Sequence, residues 1–571
     1  MQPTTPPPSS STALRRYGPI AAIVVVIAVI AVVVIANRGK SDNNTATGTT
    51  STTAPGGFHP AGVVSWSDAE AAGTTKSIDW GSRCDTSRGT LAYPSYFAGQ
   101  CFKPFKGDNG GATSQGVTAT SVKVVLYQAE SDDPILKYIE GSIADTDTNA
   151  QTVETIRDWI NFYQTYYETY GRKIDLVPFT ATGNVADEVA ARADATQIAE
   201  SIKPFAVIGG PALTAAFGNQ LASDHILCLD CMPGQPNNFY PAHSPYVYGL
   251  TMNPDEGQVH NSEFIGKELN GKKAVYAGEA DFRDRTRKFG EIYISTGQDS
   301  ETQQKHFEAS LAKYGVHLDQ VLAYQDPTKL QTDAPGLIAK LKAAGDTSVL
   351  FVGDPVAPGP ITKAATGQDY FPEWIITGSA LTDTTIFART YDQKQWSHAF
   401  GVSFLAARTD PSVSGGLYLY QWFYGHKPPA KTGAAVVAPE FNLLFAVLQG
   451  VGPDLTPQTF QDALFAGPPT KSAVTQPQIS FGNHGIWPQT DYLGIDDATL
   501  IWWNPTAKGP DEINGQGTGM YEYVDGGKRY LPGHWPSTLP KMFDTSNSVT
   551  IYTTVPPGEQ VPSYPSPAKG G

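Results

Sequence analysis

Basic residues are in short supply. Lys and Arg total 40 against 55 Asp and Glu in a chain of 571 residues, a formal charge of -15 at pH 7. Nucleic-acid binding needs a basic face that displaces condensed counterions, so this deficit excludes nucleic acid as a partner. Cysteine is scarcer still, with four in the whole chain. Four cannot staple a chain of this length, so the cores must stabilise themselves and any disulfide is local. The patterns G-x-S-x-G, H-E-x-x-H and G-x-x-x-x-G-K-[ST] are absent. Gly515-Gln516-Gly517-Thr518-Gly519 is glycine-rich but opens no helix, and the histidines are scattered. The chain therefore reads as a non-enzyme that uses no cofactor and no metal.

Long apolar runs are also missing, with one exception. Residues 20–36 (IAAIVVVIAVIAVVVIA) carry no polar side-chain atom. With Gly18 and Pro19 they span about 28 Å as a helix, close to the hydrocarbon thickness of a bilayer. The expectation is a transmembrane helix over 18–36; a cleaved signal peptide, whose apolar region is usually shorter, is the alternative. No cysteine follows the run, which excludes lipid attachment there. Arg15 and Arg16 precede it and Arg38 and Lys40 follow, so charge hardly decides its orientation. Residues 1–17 read as a disordered cytoplasmic tail and 37–61 as a flexible stalk, both poor in apolar residues.

Beyond the stalk, strand and helix patterns alternate. Residues 122–127 (VKVVLY) read as a buried strand. A helix follows from about Gln151, with Val153, Ile156, Ile160, Tyr163, Tyr167 and Tyr170 three or four apart. Then come a strand at 174–179, a helix at 185–202 and strands at 205–208 and 226–229. After 246–250 a second series begins, with strands expected at 274–277, 321–324, 349–352 and 374–377 and helices at 302–314 and 334–344. Such alternation implies parallel sheets covered on both faces. A helix at 440–448 and strands at 479–481 and 500–503 are expected to return and complete the first lobe. The tail from Val555 is rich in Pro and Gly, with no apolar period to bury. Trp374, Trp502 and Trp503 read as core.

Gly116-Val117-Thr118 followed by Ser121-Val122-Lys123-Val124 resembles the opening of the branched-chain amino acid and amide class of type 1 periplasmic binding proteins. Further stretches resemble the same family in order and spacing: 171–177 (GRKIDLV), 205–211 (FAVIGGP), Lys273-Ala274-Val275-Tyr276 with Asp281-Phe282, and 345–353 (GDTSVLFVG). The block from Cys84 to Gly111 is similar to an N-terminal extension found on actinobacterial members. The resemblance covers roughly 116–505. It implies a two-lobed α/β "Venus flytrap" with an N-terminal extension at 62–115, lobe 1 at 116–250, lobe 2 at 251–400, return segments at 401–505 and a C-terminal extension at 506–571. It implies a small-molecule ligand in the interlobe cleft, amino acid or related transport with an ABC permease as partner, attachment to the cell membrane through the N-terminal helix and an extracytoplasmic location. A surface receptor or sensor without a transport role is a second reading.

Open parallel sheets bind ligands outside the carboxyl ends of their strands. The candidate ligand residues at such ends are Glu130 and Ser131, Gly210 and Thr214, Asp230, Phe282, Asp354 and Ser379. The Gly-Pro turn at 210–211 would open a helix whose free N–H groups suit a carboxylate, or would be an ordinary turn. Asp354 and Ser379 also read as helix-cap or turn residues. The sequence departs from the family where hydroxyls are usual: Leu213, Thr214 and Ala215 leave one, Asp230 replaces one, and Phe282 stands in place of a tyrosine. A carboxylate at 230 would repel an anion by ~1 kcal/mol even in water. That puts a branched-chain amino acid in question and keeps polyols, amides, amines and other neutral or cationic ligands open.

Cys228-Leu229-Asp230-Cys231 reads as a redox pair, half of a zinc site or a disulfide. A second CxxC and a nearby His pair are lacking, which disfavours zinc. A redox motif would open a helix, whereas this one ends a strand. A local disulfide that stiffens the cleft loop is the favoured reading, with Cys84 and Cys101 then paired in the N-terminal extension. A redox protein built on Cys228 and Cys231 remains the third reading of function.

Overall fold

In the computed structural model the described residues are 58–143, 146–211, 214–231, 234–295, 298–326, 329–538 and 541–569. The expected tail at 1–17, the helix at 18–36 and nearly all of the stalk lie outside them. No helix among the described residues is long and apolar enough to cross a membrane. The N-terminal extension holds the hairpin β1 (Cys84–Asp85) and β2 (Thr90–Leu91), and a disulfide joins Cys84 to Cys101. Arg83 fixes it to the first lobe, donating to the Tyr167 carbonyl at 2.8 Å and to Glu168 at 2.7 Å.

The β-branched run after Thr120 becomes β3 (Ser121–Gln128), followed by β4 (Lys173–Thr180), β5 (Ala206–Ile208), β6 (Leu227–Leu229) and β7 (Val247–Tyr248). They form one parallel sheet in the order β4-β3-β5-β6-β7. Every residue of β5 and β6 is buried, as expected for inner parallel strands, whereas edge strand β4 alternates with solvent. The helix Asn149–Tyr166 starts at a reciprocal cap in which Thr148 and Gln151 satisfy each other's backbone N–H groups. Its apolar face joins Phe441, Leu444 and Phe445 of the helix Gly433–Val451 in the first core.

The Gly-Val-Thr turn has a steric reason. Gly116 adopts φ +73°, and a Cβ there would lie 2.1 Å from the backbone nitrogen of Phe205 at the entry to β5. Gly116→Ala is expected to destabilise the first lobe by about 2–4 kcal/mol through strain and overpacking. Chemical denaturation checks this, and a loss below 1 kcal/mol contradicts it.

The second lobe contains β8 (Phe289–Ile294), β9 (Leu318–Tyr324), β10 (Ser348–Val352), β11 (Glu373–Ile376) and β12 (Ala399–Ser403), parallel in the order β9-β8-β10-β11-β12. Period-2 alternation builds two cores on its faces: Val349, Phe351, Trp374 and Ile376 on one, Leu350, Ile375, Phe400 and Val402 on the other. A short β13 (Arg408–Thr409) follows. The hairpin β14 (Ala498–Pro510) and β15 (Gln516–Val524) then extends the second sheet antiparallel beyond β12, β16 (Arg529–Tyr530) pairs with β14, and β17 (Ser548–Val549) pairs with β15. Trp374, Trp502 and Trp503 are all buried.

Three expectations need correction. The segment 274–277 is not a strand; the strand that opens the second lobe is β8, fifteen residues on. Its sequence FGEIYI hid it, because Gly290 and Glu291 interrupt the apolar run. Glu291 is fully buried, accepts a hydrogen bond from Gln304, and burial pushes its carboxyl up to about 8. A group that stays neutral inside a sheet reads as a charge in the sequence. Second, residues 500–503 lie within β14 and pair with β12 of the second lobe, and Ile479 makes only an isolated bridge to Ile495. The helices Gly433–Val451 and Pro457–Ala466 do return to the first lobe. Third, the C-terminal tail is anchored. Just before it, strand β18 (Ile551–Tyr552) pairs with β13; within it, the Tyr564 hydroxyl donates to Asp85 at 2.6 Å while its carbonyl accepts from Trp422 Nε1 at 3.2 Å. The tail thus runs from the second lobe back across the first.

Candidate functional site

Where the chain crosses between lobes fixes which ends of the sheets face each other. The first crossing, 249–253, leaves the carboxyl end of β7. The second leaves the carboxyl end of β12 at Ser403. The third, near 494–497, enters β14 at Ala498 and Thr499, beside Ser403 because β14 is antiparallel. All three therefore lie along the carboxyl edges of the parallel strands, so those edges oppose one another across the interlobe boundary. The helix Pro134–Ile143, which follows β3, meets the helix Thr385–Ala388, which follows β11. The strand ends and their loops bound the cleft.

Glu130 and Ser131 follow β3, Gly210 follows β5 and Asp230 follows β6, which brings them to one edge of the first sheet. Gly210 packs tightly, since a Cβ there would meet the Cys231 carbonyl oxygen at 2.6 Å. Gly210 and Pro211 do not themselves begin the helix: it is Ala216–Ser223, and the buried Thr214 hydroxyl accepts the Ala216 N–H at 3.0 Å. Cys228 and Cys231 are disulfide-bonded, and both are fully buried. Sulfurs sealed in this way offer no approach for an attacking thiolate, which weakens the redox reading.

Across the boundary, Asp354 and Ser379 sit after β10 and β11. Asp354 works as a turn brace: Oδ1 accepts the Val356 and Ala357 N–H groups, each at 2.9 Å, and Oδ2 accepts the Tyr324 hydroxyl at 2.5 Å. The Ser379 hydroxyl accepts the Gly353 N–H at 3.1 Å and ties the ends of β10 and β11 together. Phe282 is misplaced by the sequence reading. It is buried edge-on to Tyr370, with ring centroids 6.0 Å apart, among loops that precede β8 and β11. It therefore occupies the amino ends of the strands, opposite the cleft. The error follows from taking 274–277 as a strand, because the loop after it then becomes a carboxyl-end loop.

Sequence reasoning missed the residues that hold the crossings. Arg529, almost wholly buried, donates to the carbonyls of Leu405 at 2.6 Å and Phe404 at 3.2 Å and pairs with Asp497 at 2.7 Å. One side chain thereby clamps the second and third crossings. Beside it, His260 Nε2 lies 3.0 Å from the Asp496 carbonyl and Trp487 Nε1 donates to the Asp496 carboxylate at 3.2 Å. Asp491, Asp496 and Glu256 each keep one buried carboxylate oxygen without a hydrogen-bond partner. Among the described residues no group of three His, Cys, Asp or Glu could hold a metal ion. Only pairing across the fold would have revealed this cluster.

Burial pushes these acids up, Asp491 to about 7 and Asp496 to about 6, and raises Glu256 well above the carboxylate range. The folded protein holds protons there that the unfolded chain releases near pH 4. Stability from the cluster is thus full below about pH 4 and is lost as pH rises toward about 7. Asp491→Asn, which cannot ionise, is expected to flatten the fall in melting temperature between those pH values. Scanning calorimetry of both proteins checks it; equal slopes contradict it.

No family model and no curated protein matches the sequence. Similar solved structures include a branched-chain amino acid transporter substrate-binding protein from Streptococcus pneumoniae in complex with isoleucine (14% identity, 71% of this chain and 100% of that chain, TM-score 0.47). Another is an ABC-transporter solute-binding protein from Rhodopseudomonas palustris in complex with 3,4-dihydroxybenzoic acid (12%, 70% and 97%, 0.46). A third is a fatty acid ABC transporter substrate-binding protein from Thermomonospora curvata (13%, 74% and 97%, 0.47). These neighbours are solute-binding proteins of ABC transporters, with parallel-sheet α/β folds of the type 1 periplasmic binding class.

Proposed function

We propose that the chain is an extracytoplasmic solute-binding protein that captures a small polar molecule between its lobes and delivers it to an ABC permease. The carrying observation is the placement of all three crossings along the carboxyl edges of two separate parallel sheets. That arrangement opposes two sets of strand-end loops across a hinge, the geometry in which differential contacts with a ligand favour closure. Among the site residues, Asp354 and Ser379 brace turns, and the Thr214 hydroxyl accepts the N–H of Ala216 just ahead of a helix. The apolar run at 20–36 supports tethering to the cell membrane, and the placement of the lobes outside follows from the solute-binding reading. Oxidation of all four cysteines to disulfides fits that compartment.

The test is a thermal-shift screen of the full chain against amino acids, amides, polyols, amines and aromatic acids. A ligand at 100 times its Kd stabilises the native state by about 2.7 kcal/mol. At least one chemical class is expected to raise the melting temperature with a saturating dose response. A screen in which no class does so contradicts the reading.

A further inference from the structure

Two carboxylates on the floor of the first lobe lack any countercharge. Asp230 follows β6 in the left-handed conformation, φ 54°, inside the Cys228–Cys231 loop. Its side chain is half-buried and makes no hydrogen bond, and Oδ1 is sealed from solvent without a partner. Gly249, after β7, leaves the space beside it, since a Cβ there would lie 3.1 Å from Oδ1. The second carboxylate is Glu440, close enough for the Asp230 charge to raise it. It lies one turn after Val437, whose side chain covers Gly209 at the end of β5, and it is 4% exposed with Oε2 unpartnered. No Lys, Arg or His among the described residues forms an ion pair with either carboxylate. The nearby titratable groups are Tyr240 and Tyr163, both held as neutral phenols by burial.

Buried charges in proteins are paired or neutralised, because an unpaired one is strongly penalised. The cluster of Glu256, Asp491 and Asp496 lies at the crossings, but Asp230 stands at a strand end that faces the cleft, where a solute arrives. We propose that the missing partner is the ligand: the first-lobe floor takes an ammonium or guanidinium group, with Asp230 as the direct contact and Glu440 as the buried carboxylate behind it. This rests on the solute-binding reading and narrows its ligand to a cation. Without a cation the floor holds its charge down with protons, Asp230 being raised to about 6 and Glu440 to about 8 by burial and, for Glu440, by Asp230. A cation must displace those protons, so its affinity rises with pH between about 6 and 8.

The experiment is calorimetric titration of the full chain with agmatine, putrescine and L-arginine. 1,4-Butanediol serves as the uncharged isostere of putrescine, L-citrulline as the analogue of L-arginine without the guanidinium charge, and 4-hydroxybenzoate and myo-inositol as anionic and neutral controls. At least one cation is expected to bind 30-fold or more tighter than its isostere or the controls, with net proton release at pH 7. Asp230→Asn is expected to weaken it at least 30-fold. Glu440→Gln is expected to weaken it severalfold and to abolish most of the proton release. Both are isosteric and remove buried charge, so their unliganded melting temperatures are not expected to fall. If no cation binds while a neutral or anionic compound does, or if Asp230→Asn leaves cation affinity unchanged, the inference is overturned and the solute-binding reading stands. If nothing of any charge binds here or in the wider screen, both are overturned.

Discussion

Arg529→Ala is expected to lower stability by about 3–5 kcal/mol, the usual result of removing one partner from a buried ion pair. The substitution leaves Asp497 buried at the lobe boundary with its carboxylate short of a cation, and it strips the Phe404 and Leu405 carbonyls of their donor. It differs from an ordinary core lesion because the lost bonds join two of the three crossings. The loss should therefore appear both in denaturation, followed by tryptophan fluorescence, and in a broader spread of interlobe distances. Arg529→Lys keeps the charge but cannot reach three acceptors at once, so it is expected to recover only part of the loss. Stability within 1 kcal/mol of the parent in Arg529→Ala contradicts the clamp.

Arg287→Met is expected to have a comparable effect confined to the second lobe. Arg287 and Glu373 form a two-pronged pair at 2.7 and 2.9 Å, with neither side chain exposed. Removing the guanidinium strands a carboxylate at the amino end of β11, again about 3–5 kcal/mol. The double variant Arg287→Met, Glu373→Leu would relieve most of that penalty if the pair stood alone. It does not: Glu373 also accepts the Ser348 hydroxyl at 2.6 Å and the Tyr276 N–H at 3.0 Å. Recovery is therefore expected to be partial, leaving a deficit of about 1–3 kcal/mol from the two orphaned donors. A double variant as stable as the parent would show that those donors find other partners.

The sequence made the first lobe legible because its strands are short apolar runs bounded by turns, and period alone locates them. Gly116 was readable as a motif, and its positive φ and contact with β5 explain why the motif exists. In the second lobe β9, β10 and β11 were legible in the same way, whereas β8 resisted for a reason of protonation, since Glu291 inside it is a neutral group that looks charged. One missed strand then moved Phe282 from the wrong end of the sheet into the expected cleft. Glu440 was passed over similarly. The sequence placed it only as the first residue of a helix at 440–448, whereas the helix begins at Gly433 and carries Pro439 within it. The hinge acids and Arg529 come together from 256, 491–497 and 529, separations that no local pattern can report.

The central claim is that two lobes move about these crossings and close on a solute. It is tested most directly by electron–electron distance measurement between spin labels on introduced cysteines, Asp132→Cys in the first lobe and Leu381→Cys in the second, both at exposed positions. Without ligand the account predicts a broad distribution that includes separations longer than the structure's. With a saturating hit from the screen it predicts collapse to one narrow, shorter distance. A single narrow distance that no compound changes would contradict it.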